Sequence, residues 1–438
     1  MAAEVLRSRL PVVLPVVGLV LSALAGCSRA PDPNELQFWT IQLSPKFDPL
    51  IRSMLSEWEQ RHPGISVRWT DLPFGSVERK LLAAVFARRA PDVVNLNPLF
   101  SANLASKGGL LPLQQRLSPP VRSSYLPRLL QAAEQDGELY ALPWYLTARI
   151  TLANQRLLQQ AGYERPPQRW EEVPAYAKAV KQRTGRYALF VTVVPDGSAE
   201  LLESMVQMGV QLLDDQQRAR FNSPAGRRAF AFWTDLYRNG LLPREVVSQG
   251  FRRAIELYQS GELAQLASGA EFLASIETNA PQVAAVTEPF PPLTGADGAA
   301  NVAVMNLAVS RQSRRPALAV NLASFITNPA NQLRFARAAR VLPSSAPALN
   351  ELERELRQAM AKPGDASPLV GEARLLSAET LQHARVLVPA DPGIKRLQAI
   401  IYGQLQRAML GQLSSDAAVA EAEAQWNAYA TARWPRNP

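Results

Sequence analysis

"LPWYLTARITLAN", residues 142–154, decides how this chain is read. Two adjacent rings, Trp144 and Tyr145, follow Pro143, then come Thr147 and Arg149, and "ITLAN" has the apolar, β-branched character of a strand. Rings immediately ahead of a buried strand can fill the core at its entrance. They can equally line a site where two structural units join. The stretch leaves both readings open.

Upstream of it, short strands and amphipathic helices alternate. "ELQFWTI" reads as a strand, and the following stretch carries Leu50, Met54, Leu55 and Trp58 at helical spacing until "HPG" stops it. "ISVRWTDL" is a second strand, "SVERKLLAAVFARR" a second helix and "PDVVNLN" a third strand. That order is the pattern of a doubly wound α/β sheet, which binds ligands at the carboxyl ends of its strands. Those ends fall at Trp39-Thr40, Asp71 to Phe74 and Asn95 to Asn97. Downstream, "PPQRWEEVPAYAKAVKQ" and "NSPAGRRAFAFWTDLYRNG" are the clearest helices, the second capped by Asn222 or Ser223. "YALFVTVV" and "NVAVMNLAV" read as strands, and the last hundred residues as mostly helical.

At 438 residues the chain exceeds one compact core and predicts two or three domains. Its +9 formal charge is carried by scattered Lys and Arg, the pattern of solvated faces rather than of a nucleic-acid surface. The N-terminus is more specific. Arg7 and Arg9 precede an apolar run from Leu10 to Leu24, which ends in "LAGC" at Cys27, the one cysteine of the chain. This is the form of a lipoprotein signal peptide over 1–26, with Cys27 lipidated as the first mature residue and a Pro-rich tether through 36. No intramolecular disulfide is then possible, and the fold rests on its core.

Catalytic patterns are scarce. The two histidines, His62 and His383, have no partners at metal spacing, and no nucleophile elbow, P-loop or G-x-G-x-x-G occurs. A carboxylate pair for glycoside hydrolysis can arise in three dimensions, but nothing in the sequence singles one out. The balance moves from enzyme to binder, with no cofactor and no metal.

Four stretches carry a family resemblance: residues 137–173, "NSPAGRRAFAFWTDLYRNGLL", "NVAVMNLAVSRQSRRPALAVNLASFITNPANQLRFARAARVLPSSAPAL" and "AMLGQLSSDAAVAEAEAQWN". From about 36 to 430, in order, the chain resembles the extracytoplasmic solute-binding proteins of ABC sugar importers, the group that includes maltose-binding protein. The resemblance implies a type II periplasmic-binding-protein fold: two doubly wound α/β lobes joined by a hinge of crossing segments. Lobe 1 would comprise 37–145 plus 302–345, and lobe 2 would comprise 146–301 plus 346–438 with its helical C-terminus. Crossings are expected near 143–149, 300–306 and 343–348. A monomer would close over a mono- or disaccharide, or a polyol glycoside, and deliver it to an ABC permease from its lipid anchor outside the cytoplasmic membrane.

Sugars are held by ring stacking and by hydrogen bonds to hydroxyls. Trp39, Thr40, Phe74, Asn95 and Asn97 are therefore expected in the cleft from lobe 1, with Trp144, Tyr145, Thr147 and Arg149 at the crossing. Asp196, Gly269, Glu271, Phe272 and Asp391 are expected from lobe 2. Trp58, Trp170, Trp233 and Trp426, inside amphipathic helices, are assigned to the core. One departure stands out: after Gly269 the family usually places a stacking ring, and this chain has Ala270, Glu271 and Phe272. That favours a small, hydroxyl-rich solute over a maltodextrin. Rival readings are a phosphorylated solute such as glycerol 3-phosphate, drawing on Arg149 and Arg340, a surface glycosidase or lyase, and a sensor or adhesion lipoprotein.

Overall fold

The computed structural model describes residues 32–135, 137–195, 199–361, 368–388, 391 and 393–434. The expected signal peptide over 1–26, Cys27 and Asp196 lie outside the described residues.

The residues after Asp32 begin a seven-stranded sheet. Along its path the strands run Leu342–Pro343, Ala141–Ala148, Ala300–Val309, Val93–Leu96, Glu35–Ile41 and Ser66–Leu72, with Ala384–Arg385 pairing beside Ala300–Val309. Glu35–Ile41 pairs in parallel with Ser66–Leu72 and with Val93–Leu96, as strand–helix–strand units require. Burial follows the sequence pattern. The central strand Val93–Leu96 is buried throughout, because helices cover both faces, whereas the edge strand Ser66–Leu72 is largely open. The helix Asp48–Gln60 turns Ile51, Met54, Leu55 and Trp58 inward. Its end is closed by His62, whose ring stacks on Trp58 at 4.0 Å and whose Nδ1 lies 2.8 Å from the Trp58 carbonyl.

Two long strands then tie the sheet to the rest of the molecule. Ala141–Ala148 and Ala300–Val309 run antiparallel, Val302 opposite Ala148 and Ala308 opposite Ala141, with a bulge at Met305/Asn306. Leu342 closes on Leu146 from the other side. One residue beyond Ala148 the chain enters a second sheet. Ile150–Asn154 is the middle of three antiparallel strands, between Gln265–Ser268 and Thr287–Phe290. Arg149 is the single residue between the two sheets.

Each sheet has its own core. Phe38, Trp58, Trp144, Leu307 and Phe335 pack together on the first. Ile150, Leu152, Trp170, Tyr176, Trp233 and Trp426 belong to the second. Trp58, Trp170, Trp233 and Trp426 are all buried, where their helical spacing puts them.

Three details differ from the sequence reading. "YALFVTVV" is extended chain beside Leu263–Gln265, joined by a bridge at Tyr187, and not a full strand. The helix Ala346–Met360 sends Leu349, Leu352 and Leu356 into a cluster with Leu146, Val302 and Leu342. It therefore packs beneath the crossing strands instead of on the second core. The helix Pro368–Leu381 touches both, placing Ala373 in the second core and Ala378 and Leu381 under the crossings.

Candidate functional site

The carboxyl ends of the first two strands are locked by hydrogen bonds. Thr40 Oγ1 donates to Asp71 Oδ1 at 2.6 Å and accepts from Trp69 Nε1 at 2.7 Å. The Asp71 carboxylate also takes the backbone N–H groups of Leu43 and Ser44, at 3.0 and 3.1 Å. These contacts hold the loop after the first strand, and Thr40 is wholly buried. Trp39 is half-buried beside them, and Phe74 is 46% exposed at the start of the helix Phe74–Phe86.

Several expected cleft residues have structural duties instead. Asn95 lies inside its strand, fully buried, its Nδ2 donating to the Asn306 carbonyl at 3.0 Å. Its Nδ2 thus finds a partner across the sheet, while its Oδ1 is buried without one. Asn97 caps the helix Pro98–Ser106 by accepting from Phe100 N–H at 2.8 Å. Trp144 is 0% exposed, with Phe335 4.9 Å away between ring centroids, so its ring fills the first core and lines no opening. Tyr145 is half-buried against the same Phe335 at 5.0 Å. Burial, with Asp71 nearby, pushes its hydroxyl well above the usual tyrosine range. Asp391 accepts from Gly393 N–H at 2.6 Å and shapes the turn before the helix Ile394–Met409.

What gathers at the strand crossing is charged. The Arg149 guanidinium lies 3.1 Å from Glu200 Oε1 and 2.9 Å from Glu203 Oε2. Burial opposes its charge, but Glu203 and Glu200 more than offset that and hold its pKa above the ordinary value. Burial pushes Glu203 upward, with Arg149 pulling the other way. Glu271 is the third acid. Its carboxyl packs over Gly269, where a Cβ would fall 2.0 Å from Glu271 Oε2 and 2.4 Å from Thr147 Cγ2. Burial raises its pKa to about 7, against hydrogen bonds from its own backbone and the Thr147 side chain and the charge of Arg149. Tyr402 interacts electrostatically with Arg149, Glu203 and Glu200 and is hydrogen-bonded to Gln398. Phe272 turns aside to meet Phe251 edge-on at 6.0 Å.

A cavity of ≈ 60 Å³ is lined by Arg149, Glu200 and Glu203 themselves together with Thr151, Trp170, Gln265 and Asn301 among others. Elsewhere the two units meet at Lys395, which pairs with Glu78 and lies 4.9 Å over the Phe100 ring. Glu200, Glu203, Gln398, Tyr402 and Lys395 escaped the sequence reading. The one legible sign was two acids three apart in the apolar "ELLESMV", a single helical face. Among the described residues no three His, Cys, Asp or Glu side chains are grouped to hold a metal. The arrangement can present hydrogen-bond acceptors and one neutralised guanidinium to a polar solute.

Residues 44–333 match the family described as bacterial extracellular solute-binding protein. The chain belongs to that family. A protein from Synechococcus sp. MITs9220, assigned as a periplasmic oligosaccharide-binding protein, superposes with a TM-score of 0.86 at 67% identity, covering 91% of this chain and 100% of that one. A binding protein of Brucella abortus (strain 2308) is 22% identical over 419 residues, 94% of this chain and 97% of its own. The mannitol-binding protein of Pseudomonas aeruginosa is 26% identical over 218 residues, 47% of this chain and 49% of its own.

The fold is thus the two-lobed, type II periplasmic-binding-protein fold, and the two sheets are its lobes. Arg149 joins the two sheets, and Ala300–Val309 and Leu342–Pro343 flank the strand that leads into it. Among the described residues no helix is long and apolar enough to cross a membrane.

Proposed function

We propose that this chain is the lipid-anchored solute-binding subunit of an ABC importer, closing its lobes over a mono- or disaccharide or a polyol. The observation that carries the ligand class is Glu271 packed over Gly269 beside Thr147 and the Arg149–Glu200–Glu203 group. Three carboxyls against one guanidinium offer acceptors to hydroxyl groups. They repel a phosphate, because the charge of Arg149 is already matched by two acids. The likeness to a mannitol-binding protein and to a protein assigned to oligosaccharides supports the same class. In this reading Thr147, Glu271, Arg149 and Trp39 face the solute, and Phe74 covers it from the rim. The family is one of binding proteins, and in this reading the chain captures its solute without transforming it.

A thermal-shift screen of the chain from residue 28 onward, against neutral sugars, polyols and sugar phosphates, tests this. A ligand at a hundredfold excess over Kd should stabilise by about 2.7 kcal/mol. Shifts only with sugar phosphates, or only with amino acids and peptides, would reject the neutral-polyol reading.

A further inference from the structure

We infer that the base of lobe 1, the rim where its parallel strands begin, is a docking surface for an anionic phospholipid bilayer, an assignment that rests on the proposed anchor at Cys27 for its orientation. Glu35, Ser66 and Val93 start the three parallel strands, and the helices that run back over them end at the same rim. Phe86, the last residue of the helix Phe74–Phe86, is 88% exposed there. Among the described residues no other large apolar side chain is as open to solvent.

Hydrogen bonds tie the rim together. The loop 310–315, which follows the strand Ala300–Val309, sends Gln312 Nε2 to the Val85 carbonyl at 2.9 Å and Arg315 Nη2 to Asn34 Oδ1 at 2.7 Å. Arg311 N–H donates to the Gly109 carbonyl at 3.0 Å, which sets Lys107, after the helix Pro98–Ser106, on the same rim. The cations here are dispersed in sequence, and the fold collects them: Arg88, Arg89, Lys107, Arg311, Arg314 and Arg315. None of these forms an ion pair among the described residues. The nearby acids are fewer and engaged. Glu35 pairs with Arg68, Asp92 accepts from Gln37 N–H and Ser313 Oγ at 2.8 and 2.6 Å, and Asp32 accepts from Asn34 N–H at 2.8 Å.

An exposed ring among unpaired cations suits a bilayer surface, where the cations meet phosphate headgroups and the ring enters the headgroup–acyl boundary. The tether agrees. Eight residues carry the chain from Cys27 to Glu35, about 25–30 Å at full extension, so a lipidated chain enters the fold at this rim. A second copy is the poorer occupant, because like charges would meet across the contact. The strands, about 20 Å long, separate the rim from Thr40 and Asp71 at their carboxyl ends, so lipid contact leaves the candidate solute site open.

The chain from residue 28 onward lacks Cys27, so its binding to vesicles does not depend on whether that cysteine is lipidated. It should co-sediment with vesicles of phosphatidylglycerol and phosphatidylcholine, but not of phosphatidylcholine alone, and raising sodium chloride from about 0.05 to 0.5 M should release it. Arg88→Gln/Arg89→Gln should weaken binding about 25-fold, at about fivefold for each arginine near an anionic surface. Phe86→Ser should weaken it about tenfold with Tm unchanged. Arg165→Gln/Arg228→Gln, which removes the same charge from exposed positions of lobe 2, should leave binding unchanged. No binding to the anionic vesicles, or an equal loss in the lobe 2 variant, overturns the surface. Dimers that form without vesicles and dissociate in Phe86→Ser would assign the rim to a second copy and overturn it too.

Discussion

Rings surround Trp144: Phe38 at 6.5 Å, Tyr145 at 5.2 Å and Phe335 at 4.9 Å between centroids. A side chain of this size with no exposed surface contributes through area removed from water and through close contacts that truncation leaves as a void. Trp144→Ala should therefore cost about 3–5 kcal/mol of folding stability, read from urea or guanidinium unfolding. Its effect on ligand affinity should be small wherever the variant is folded. A stable variant that has lost its ligand would return the ring to the cleft. Tyr145, next along the strand, meets the same Phe335, because the bulge skips Trp144 in the pairing with Met305 and Asn306 and breaks the strand's alternation, and it is the ring of the pair that keeps some exposure.

At the scale of elements, the strand Ala141–Ala148 and the turn Ser268–Glu271 act as one unit. Gly269 has an extended φ of −91°, so its value lies in the missing side chain, which lets the Glu271 carboxyl and Thr147 close over the backbone. The consequence is a pH dependence. Glu271 has its folded pKa raised to about 7 from the ordinary 4.5, so the folded chain holds a proton that the unfolded chain has lost between those values. Stability from this group is present below pH 4.5 and is lost as pH rises through 7, an effect on the order of 3 kcal/mol at most. Melting temperature should fall from pH 5 to pH 8 more steeply in the wild type than in Glu271→Gln. Parallel curves for the two proteins would show that the carboxyl titrates normally.

The molecule as a whole has two main cores, and Lys395 and Glu78 form an exposed charge pair between them. Lys395 and Glu78 come from helices on opposite lobes, so their contact across the Phe100 ring is sensitive to how far the lobes open. Its energy is modest, since an exposed pair contributes about 0–1 kcal/mol. The proposed anchor belongs to this scale too. Cys27→Ser should move the protein from the membrane to the soluble extracytoplasmic fraction on cell fractionation, and retention in the membrane would contradict lipidation.

Helix and strand placement was legible from residues 35–96 and 300–326, because period-two and period-3.6 patterns of apolar residues survive without tertiary information. The crossing at 142–154 was legible too, through a resemblance that spans the whole chain. Side-chain duties were not. Asn97 was expected at the ligand and caps a helix, and Asn95 Nδ2 donates to a carbonyl 211 residues away while its Oδ1 has no partner. Glu200 and Glu203 meet Arg149 only after the chain has returned across some fifty residues, 51 and 54 in sequence. The sequence by itself determined the alternation of elements and the absence of an intramolecular disulfide, and its resemblance to a family put a crossing near 143–149. Only the tertiary structure decided that Trp144 is core and that Glu271 lies on Gly269 beside a neutralised arginine. Periodicity reports which face of an element is buried. What that face is buried against depends on contacts between residues far apart in the chain, and local pattern does not encode them.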